Sequence, residues 1–297
     1  MTYRASTFSI VACDPDRGES GVAVQSRFLA VGSLVPGARS GVGAAASQAQ
    51  TRSGLVVEAL DLLEAGRAPE EAVAELLRAD SSAQVRQIGV VDSRGRSFGY
   101  TGSACIEWSG HRAGPNYCCQ GNVLLGPSVL DGMARAFETS PGDLAERLLA
   151  ALEAAQRAGG ERRGRQSAAL IVERALPGMI GESTRSVDLR VDHSLWPIDD
   201  LRKLLQLHRV EFAPNHRDRI YPLTGETREK LLEILQKRGL ISLLGEGETL
   251  EAAIGDLHRA FDLPRPADGF VSGALVDRIV TDWYGAEYDR LKIGPKG

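Results

Sequence analysis

No run of about 18 apolar residues occurs in the chain, which excludes a membrane-spanning helix of ordinary length. Aromatic residues are scarce, at 5%, so stacking platforms for nucleic-acid bases are not expected. Neither sign of charge dominates: a net −4 over 297 residues argues against a general nucleic-acid binder. The 4 cysteines (Cys13, Cys105, Cys118, Cys119) contain no CxxC and share no metal-site spacing with histidine. Reduced thiols are the simple reading, and with no signal-peptide pattern in MTYRASTFSIVACD the chain is expected to be cytoplasmic. The histidines are scattered. His193 lies close to Asp188 and Asp192, but strand alternation puts the two aspartates on one face and His193 on the other, so no metal is expected. No other cofactor is expected either; Gly41 and Gly43 match no phosphate loop, because no Gly-Lys-Ser/Thr follows.

What is present is ordinary globular material: 43% hydrophobic and 25% charged residues, enough for a sizeable core. The organising stretch is Thr7–Arg27. Two apolar strands flank Asp14-Pro15-Asp16-Arg17-Gly18, a dense cluster of turn formers, and this predicts a hairpin with a hydroxyl residue at its start. Gly41–Ser47 reads as a third strand, closely packed because it is built from Gly and Ala. Helical spacing follows over Arg52–Ala65, and Pro69-Glu70-Glu71 opens a second helix with Pro and acids in its first turn. Strands return at Gln87–Val91 and Ser97–Tyr100 around the turn Asp92–Gly95, and again near Tyr117–Asn122. Helices are expected at Pro127–Glu138 and Asp143–Ala158, strands at Ser167–Val172 and Val187–Val191, and a closing helix at Pro197–Val210. Grouped strands and helices of this kind predict an α+β domain in which two sheets lie between two helical layers.

Near Phe212 the character changes. Ala213–Arg219 reads as a linker, and helical spacing over Thr227–Gly239, Thr249–Phe261 and Ser272–Trp283 predicts a small all-α module. The expected division is 1–212 and 213–297.

The blocks TFSIVACD, GVAVQSRFLAVGSLVPGARSGVGAAASQAQT, QIGVVDSRGR, TGSACIEWSGH, QGNVLLGP, GGERRGRQSAALIV and SVDLRVDH, in register from Thr7 to Phe212, resemble the bacterial family called domain of unknown function 1028. That family is grouped with the N-terminal-nucleophile (Ntn) hydrolases, so the resemblance implies their four-layer αββα sandwich. More loosely, Thr249–Val280 resembles a peptidoglycan-binding-like helical module often fused to the family.

The resemblance implies an amidohydrolase acting on a small amide, imine or peptide-like compound, with a homodimer as the expected assembly. Such enzymes attack with a Thr, Ser or Cys that begins the first strand of the mature chain, its free amine serving as base. Thr7 stands at that place. Met1–Ser6 precede it, so the Ser6–Thr7 bond must be cut before the amine exists. Gln25-Ser26-Arg27 ends the second strand where related enzymes place an acid and an arginine; here the acid is missing, leaving Ser26 and Arg27 as catalytic candidates. Gln48 and Gln50 are candidates to hydrogen-bond a substrate amide, Asn122 to support an oxyanion, and Arg165, Gln166 and Ser167 to line the same end of the sandwich. Arg27 and Arg165 suit an anionic substrate. Each residue has a plainer reading. Thr7 also suits a strand edge, Arg27 an ion pair, Gln48 and Asn122 a turn or cap, and Glu161–Arg165 a solvated loop. Cys13 reads as a small core hydrophobe. The alternative function is a non-catalytic binding protein on the same scaffold.

Overall fold

The Asp14–Gly18 turn folds as its residues dictate: Asp14 Oδ1 accepts the Arg17 N–H at 3.2 Å and Gly18 takes a φ of +63°, which glycine adopts without strain. It joins β2 (Thr7–Asp14) to β3 (Glu19–Ser26), paired antiparallel from Thr7 opposite Ser26 to Asp14 opposite Glu19. In the computed structural model, which describes residues 2–5, 7–52, 54–174, 185–212, 220–237, 249–261, 263, 266, 269–272 and 275–276, the chain divides into two compact units, 1–204 and 205–297.

The hairpin is the centre of a six-stranded antiparallel sheet. With β8 (Trp108–Gly114), β9 (Tyr117–Leu124), β10 (Ser167–Arg174) and β11 (Arg185–Val191), its order is β11-β10-β3-β2-β9-β8. A second antiparallel sheet is built on β5 (Gly43–Arg52). One edge of β5 pairs with β6 (Arg86–Asp92), which pairs onward with β7 (Ser97–Thr101). Its other edge holds β4 (Pro36–Arg39) and β1 (Thr2–Ala5). Alternation sets the two sheets face to face: Val11, Cys13, Val22, Val24, Cys118, Ala169 and Ile171 of the first share a core with Ala44, Ala46 and Val91 of the second.

The opposite residues of β5 and β6, Ala45, Ile88 and Val90, pack under α1 (Leu55–Glu64) and α2 (Pro69–Arg78). Pro69 starts α2 as predicted, and Glu71 Oε2 reaches back to the Ala68 N–H at 2.9 Å. On the first sheet, β2, β3 and β10 carry α4 (Leu144–Arg157), which packs in turn against α3 (Ser128–Thr139). Gly21 permits that approach, because a Cβ there would lie 2.6 Å from the Ile171 carbonyl and 2.9 Å from Leu148 Cδ1. The helix α5 (Pro197–Phe212) follows. Seven α-helices lie among the described residues. Among those residues no helix is long and apolar enough to cross a membrane.

Every strand and helix expected from Thr7 to Val210 is present, with shifted ends. The Gly/Ala strand runs on to Arg52, the start expected for the first helix, and α1 begins only at Leu55. Three strands carry no sequence signal. The Pro-led β4, the Gly-bearing and largely solvated β8, and β1 are bounding strands, and such strands need only one paired edge and little apolar pattern.

The second unit is held by its own core. Leu231 and Leu235 of α6 (Gly225–Lys237), Leu250 and Ile254 of α7 (Leu250–Ala260), with Leu223, Val271 and Leu275, are all buried in one cluster. It carries a strand pair, β12 (Ile220–Pro222) with β13 (Phe270–Ser272), which the all-α expectation did not contain. Ser272, expected to open a helix, closes β13; 275–276 are helical, and the rest of that expected helix lies outside the described residues, as do the expected linker 213–219 and its His216.

Candidate functional site

Alternation also decides where the polar side chains go. The same inward faces that are apolar at one end carry Thr7 and Ser9 (β2), Ser26 (β3), Ser167 (β10), Gln120 and Asn122 (β9), Gln48 (β5) and Gln87 (β6) at the other, all buried. Register lines them up. Thr7, Ser26 and Ser167 are direct partners across three strands, and one step beyond the Phe8–Gly121 pair brings Asn122 level with Thr7.

Thr7 Oγ1 donates to Ser26 Oγ at 3.1 Å. The amides form a directional chain beside it. Gln120 Nε2 donates to Ser9 Oγ at 2.7 Å, and Ser9 Oγ donates to Gln48 Oε1 at 2.7 Å. Gln48 Nε2 donates to the Thr7 carbonyl at 3.3 Å and to Gln87 Oε1 at 2.9 Å, which also accepts Asn122 Nδ2 at 2.9 Å. Gln87 Nε2 faces Thr101 Oγ1 and the Gly110 and Gly121 carbonyls at 2.8–3.0 Å. Thr101 Oγ1 in turn lies 2.9 Å from His111 Nδ1, within hydrogen-bond distance. Gln120 Oε1, buried beside these groups, has no hydrogen-bond partner among the described residues. Gly89 makes room for it, since a Cβ there would lie 2.0 Å from that oxygen.

The rim carries the charge. The Arg27 N–H donates to Glu161 Oε2 at 2.6 Å, and Arg163 Nε donates to Glu161 Oε1 at 2.7 Å. Glu161 is only 3% exposed, which corrects its reading as part of a solvated loop. Burial is the main influence on its carboxyl and pushes it up to about 7, against the opposing pull of the Arg27 N–H and Arg163. The guanidinium of Arg27 is exposed and donates to Gln166 Oε1, and Gln166 Nε2 lies 3.3 Å from His193 Nδ1. Arg165 stacks on Trp196, its guanidinium carbon 3.6 Å from the ring centre. Exposed Leu29, Ile106, Leu125, Leu195 and Trp196 all lie on loops at this end of the six-stranded sheet.

The structure thus brings Thr7, Ser26, Gln48 and Asn122 together inside, and Arg27, Arg165 and Gln166 on the rim. Gln48 and Asn122 lie within strands, not in turns or caps. Ser167 shares the inner row, but its hydroxyl ties down the loop after β3, donating to the Phe28 carbonyl at 2.5 Å and accepting the Val31 N–H at 3.1 Å. Gln50 stands apart. Ala49 adopts a φ of +63°, the alternation breaks there, and Gln50 is held through its carbonyl by Arg86. Sequence reasoning missed Ser9, Gln87, Gln120, Thr101 and Glu161. Period-2 counting along β2, β6 and β9 could have found Ser9, Gln87 and Gln120; no local signal marks Glu161. The cysteines are poor nucleophiles: burial pushes the Cys13 and Cys118 thiols up to about 12. Cys13 is a core residue, as its sequence position suggested.

The comparisons with known proteins agree with this architecture. Protein SPO2555 from Silicibacter pomeroyi, known from a crystal structure described as DUF1028, superimposes with a TM-score of 0.62 at 34% identity, over 69% of this chain and 86% of that one. No functionally curated protein matches. The profile of a family of unknown function matches residues 7–201, and the chain belongs to that family, DUF1028.

Proposed function

We propose that the chain is an Ntn-type amidohydrolase whose nucleophile is Thr7 Oγ1, freed by cutting the Ser6–Thr7 bond. The observation that carries this reading is the position of Thr7. It is the first residue of β2, buried, with its hydroxyl 3.1 Å from Ser26 Oγ and beside the amide chain, while the residues just before it pair into the other sheet. The packing order α1/α2, sheet, sheet, α3/α4 supports the four-layer αββα arrangement of that superfamily.

In the cut, Thr7 Oγ1 adds to the Ser6 carbonyl carbon and its proton passes to the departing Thr7 nitrogen. The resulting ester is hydrolysed by water, leaving a carboxylate on Ser6 and a free amine and hydroxyl on Thr7. In turnover the amine takes the hydroxyl proton as Oγ1 attacks a substrate amide, the substrate nitrogen leaves with that proton, and water releases the acyl group. Asn122 Nδ2 is the candidate donor to the oxyanion, and Gln120 Oε1, which has no partner among the described residues, the candidate acceptor for a substrate N–H. Arg27 and Arg165 favour a small anionic amide, imine or peptide-like substrate.

The test is the intact mass of the untagged protein under denaturing conditions. Loss of the segment ending at Ser6, abolished in Thr7→Ala, is the expected result. A wild-type chain that keeps the Ser6–Thr7 bond sinks the reading.

One observation favours the non-catalytic alternative: both N–H groups and the oxygen of the Gln48 amide are already engaged by protein groups, so Gln48 offers a substrate nothing in this state. For residues 205–297 the proposal is a peptidoglycan-binding-like module, resting on the resemblance of 249–280 alone. A cytoplasmic homodimer completes the proposal.

A further inference from the structure

The loop joining α4 to β10 takes a path across the sheet end. On one side it is stitched to β9: Glu161 bridges Leu124, the Arg162 N–H donates to the Val123 carbonyl at 2.9 Å, and the Leu125 N–H donates to Gly160 at 3.3 Å. On the other it is stitched to β3, where the Arg27 N–H donates to Glu161 at 2.6 Å and the Gln166 N–H to the Ser26 carbonyl at 2.9 Å. β9 and β3 are the two neighbours of β2. The loop is therefore a strap over the start of β2, with Phe8 directly beneath Gly160, where a Cβ would lie 3.4 Å from the ring.

We propose that Glu161 is the positioning residue of this site: its carboxyl, carried over β2 by the strap, holds the Arg27 backbone and through it the Ser26 hydroxyl that accepts the hydrogen bond of Thr7 Oγ1. The consequence for Thr7 rests on the reading of Thr7 as nucleophile; the clasp on Arg27 does not. Here the acid that β3 lacks arrives from 134 residues away along the chain.

The charged groups around the carboxyl are Arg163, 2.7 Å away on the strap, and Arg27 at the end of β3. Farther out, Arg162 pairs with Glu107 at 3.4 Å, Arg165 lies on Trp196, and His193 touches Gln166. Burial dominates, raising the carboxyl from its ordinary 4.5 to about 7, so the closed strap prefers it neutral. An open strap, its carboxyl in water, ionises near the ordinary value. Closure is then tightest at acid pH, weakens as pH rises through the interval between the two values, and is constant above it.

Amide hydrogen exchange at Arg27 reads the clasp directly. Normalised to the unfolded rate, wild-type exchange should rise on the order of 100-fold between about pH 5 and pH 7.5, since each unit of the raised value is worth tenfold. Glu161→Gln, which stays neutral, should be protected and flat across that range, whereas Glu161→Ala should lose protection at every pH. The rate of cutting at Ser6–Thr7 should fall at least about tenfold in Glu161→Ala and stay near the acid-side wild-type rate in Glu161→Gln.

Wild-type protection of Arg27 in Glu161→Ala, or wild-type pH dependence in Glu161→Gln, overturns the proposal. So does undiminished cutting in a Glu161→Ala chain whose Arg27 is deprotected. If Glu161→Ala does not fold, the pH response of Glu161→Gln decides. A wild-type chain that never cuts removes the nucleophile reading, and the exchange at Arg27 still decides the clasp.

Discussion

Arg86 and Asp80 show what a charged pair does when it is taken out of water. Arg86 Nε donates to Asp80 Oδ2 at 2.7 Å with both side chains almost fully buried, and Arg86 also holds the Gln50 carbonyl where β5 leaves its regular alternation. The Arg86 hydrogen bond, outweighing burial, holds the Asp80 carboxyl below the ordinary carboxylate range. A lowered value means the native chain prefers the ionised acid. The stabilisation is complete above the unfolded value near 3.8 and is lost only as pH falls through the depressed one. Asp80→Ala strands a buried guanidinium and should cost about 3–5 kcal/mol, measured by urea unfolding at neutral pH. This pair lies 6 residues apart in sequence, yet nothing local marks it, because only tertiary burial makes it strong. The same holds more sharply for the partners Gln120–Ser9 and Arg27–Glu161, separated by 111 and 134 residues. Thr7, Ser26 and Arg27 were legible because they begin and end a hairpin that the turn residues announce. Glu161 was not, since a glutamate in an Arg-rich loop looks solvated until the strap is seen.

At the scale of elements, the sheets are matched by what each inner face omits. Gly89 is the clearest case: β6 gives up a side chain where Gln120 crosses from β9. Gly89→Ala should push the Gln120 amide off Ser9, at a cost of about 1–3 kcal/mol. Thermal unfolding checks the stability, and a crystal structure of the variant checks the lost hydrogen bond. The helices and the Thr7–Ser26 hairpin were readable from period and capping alone. The sequence places the end of the Gly/Ala strand at Ser47, with Gln48 and Gln50 after it. In the fold Gln48 is an inward residue of that strand and Ala49 turns left-handed to end the alternation. Burying a glutamine is affordable only when its partners come from other strands, which no window of sequence contains.

Among the described residues, the two hydrophobic clusters of the 1–204 unit share no residue with the one in 205–297. In the second unit, His258 donates Nδ1–H to the Ile254 carbonyl at 2.8 Å and accepts the Ser272 hydroxyl at Nε2, also at 2.8 Å. Ile254→Asp, which places an unpaired charge in that cluster, should unfold 205–297 while leaving exchange protection of the β2 and β9 amides as in wild type. Peptide-resolved hydrogen exchange separates the two outcomes.

The strand β1 lies in one sheet and Thr7 in the other. Severing the link between them would not by itself discharge the severed piece. Four residue pairs, Thr2–Arg52 to Ala5–Ala49, would still hold it on β5, so under the proposed cut the chain would begin as a complex with its own N-terminal segment. Its departure would uncover the backbone of Ala49–Arg52 as a raw edge, and an extended peptide is the natural occupant of such an edge.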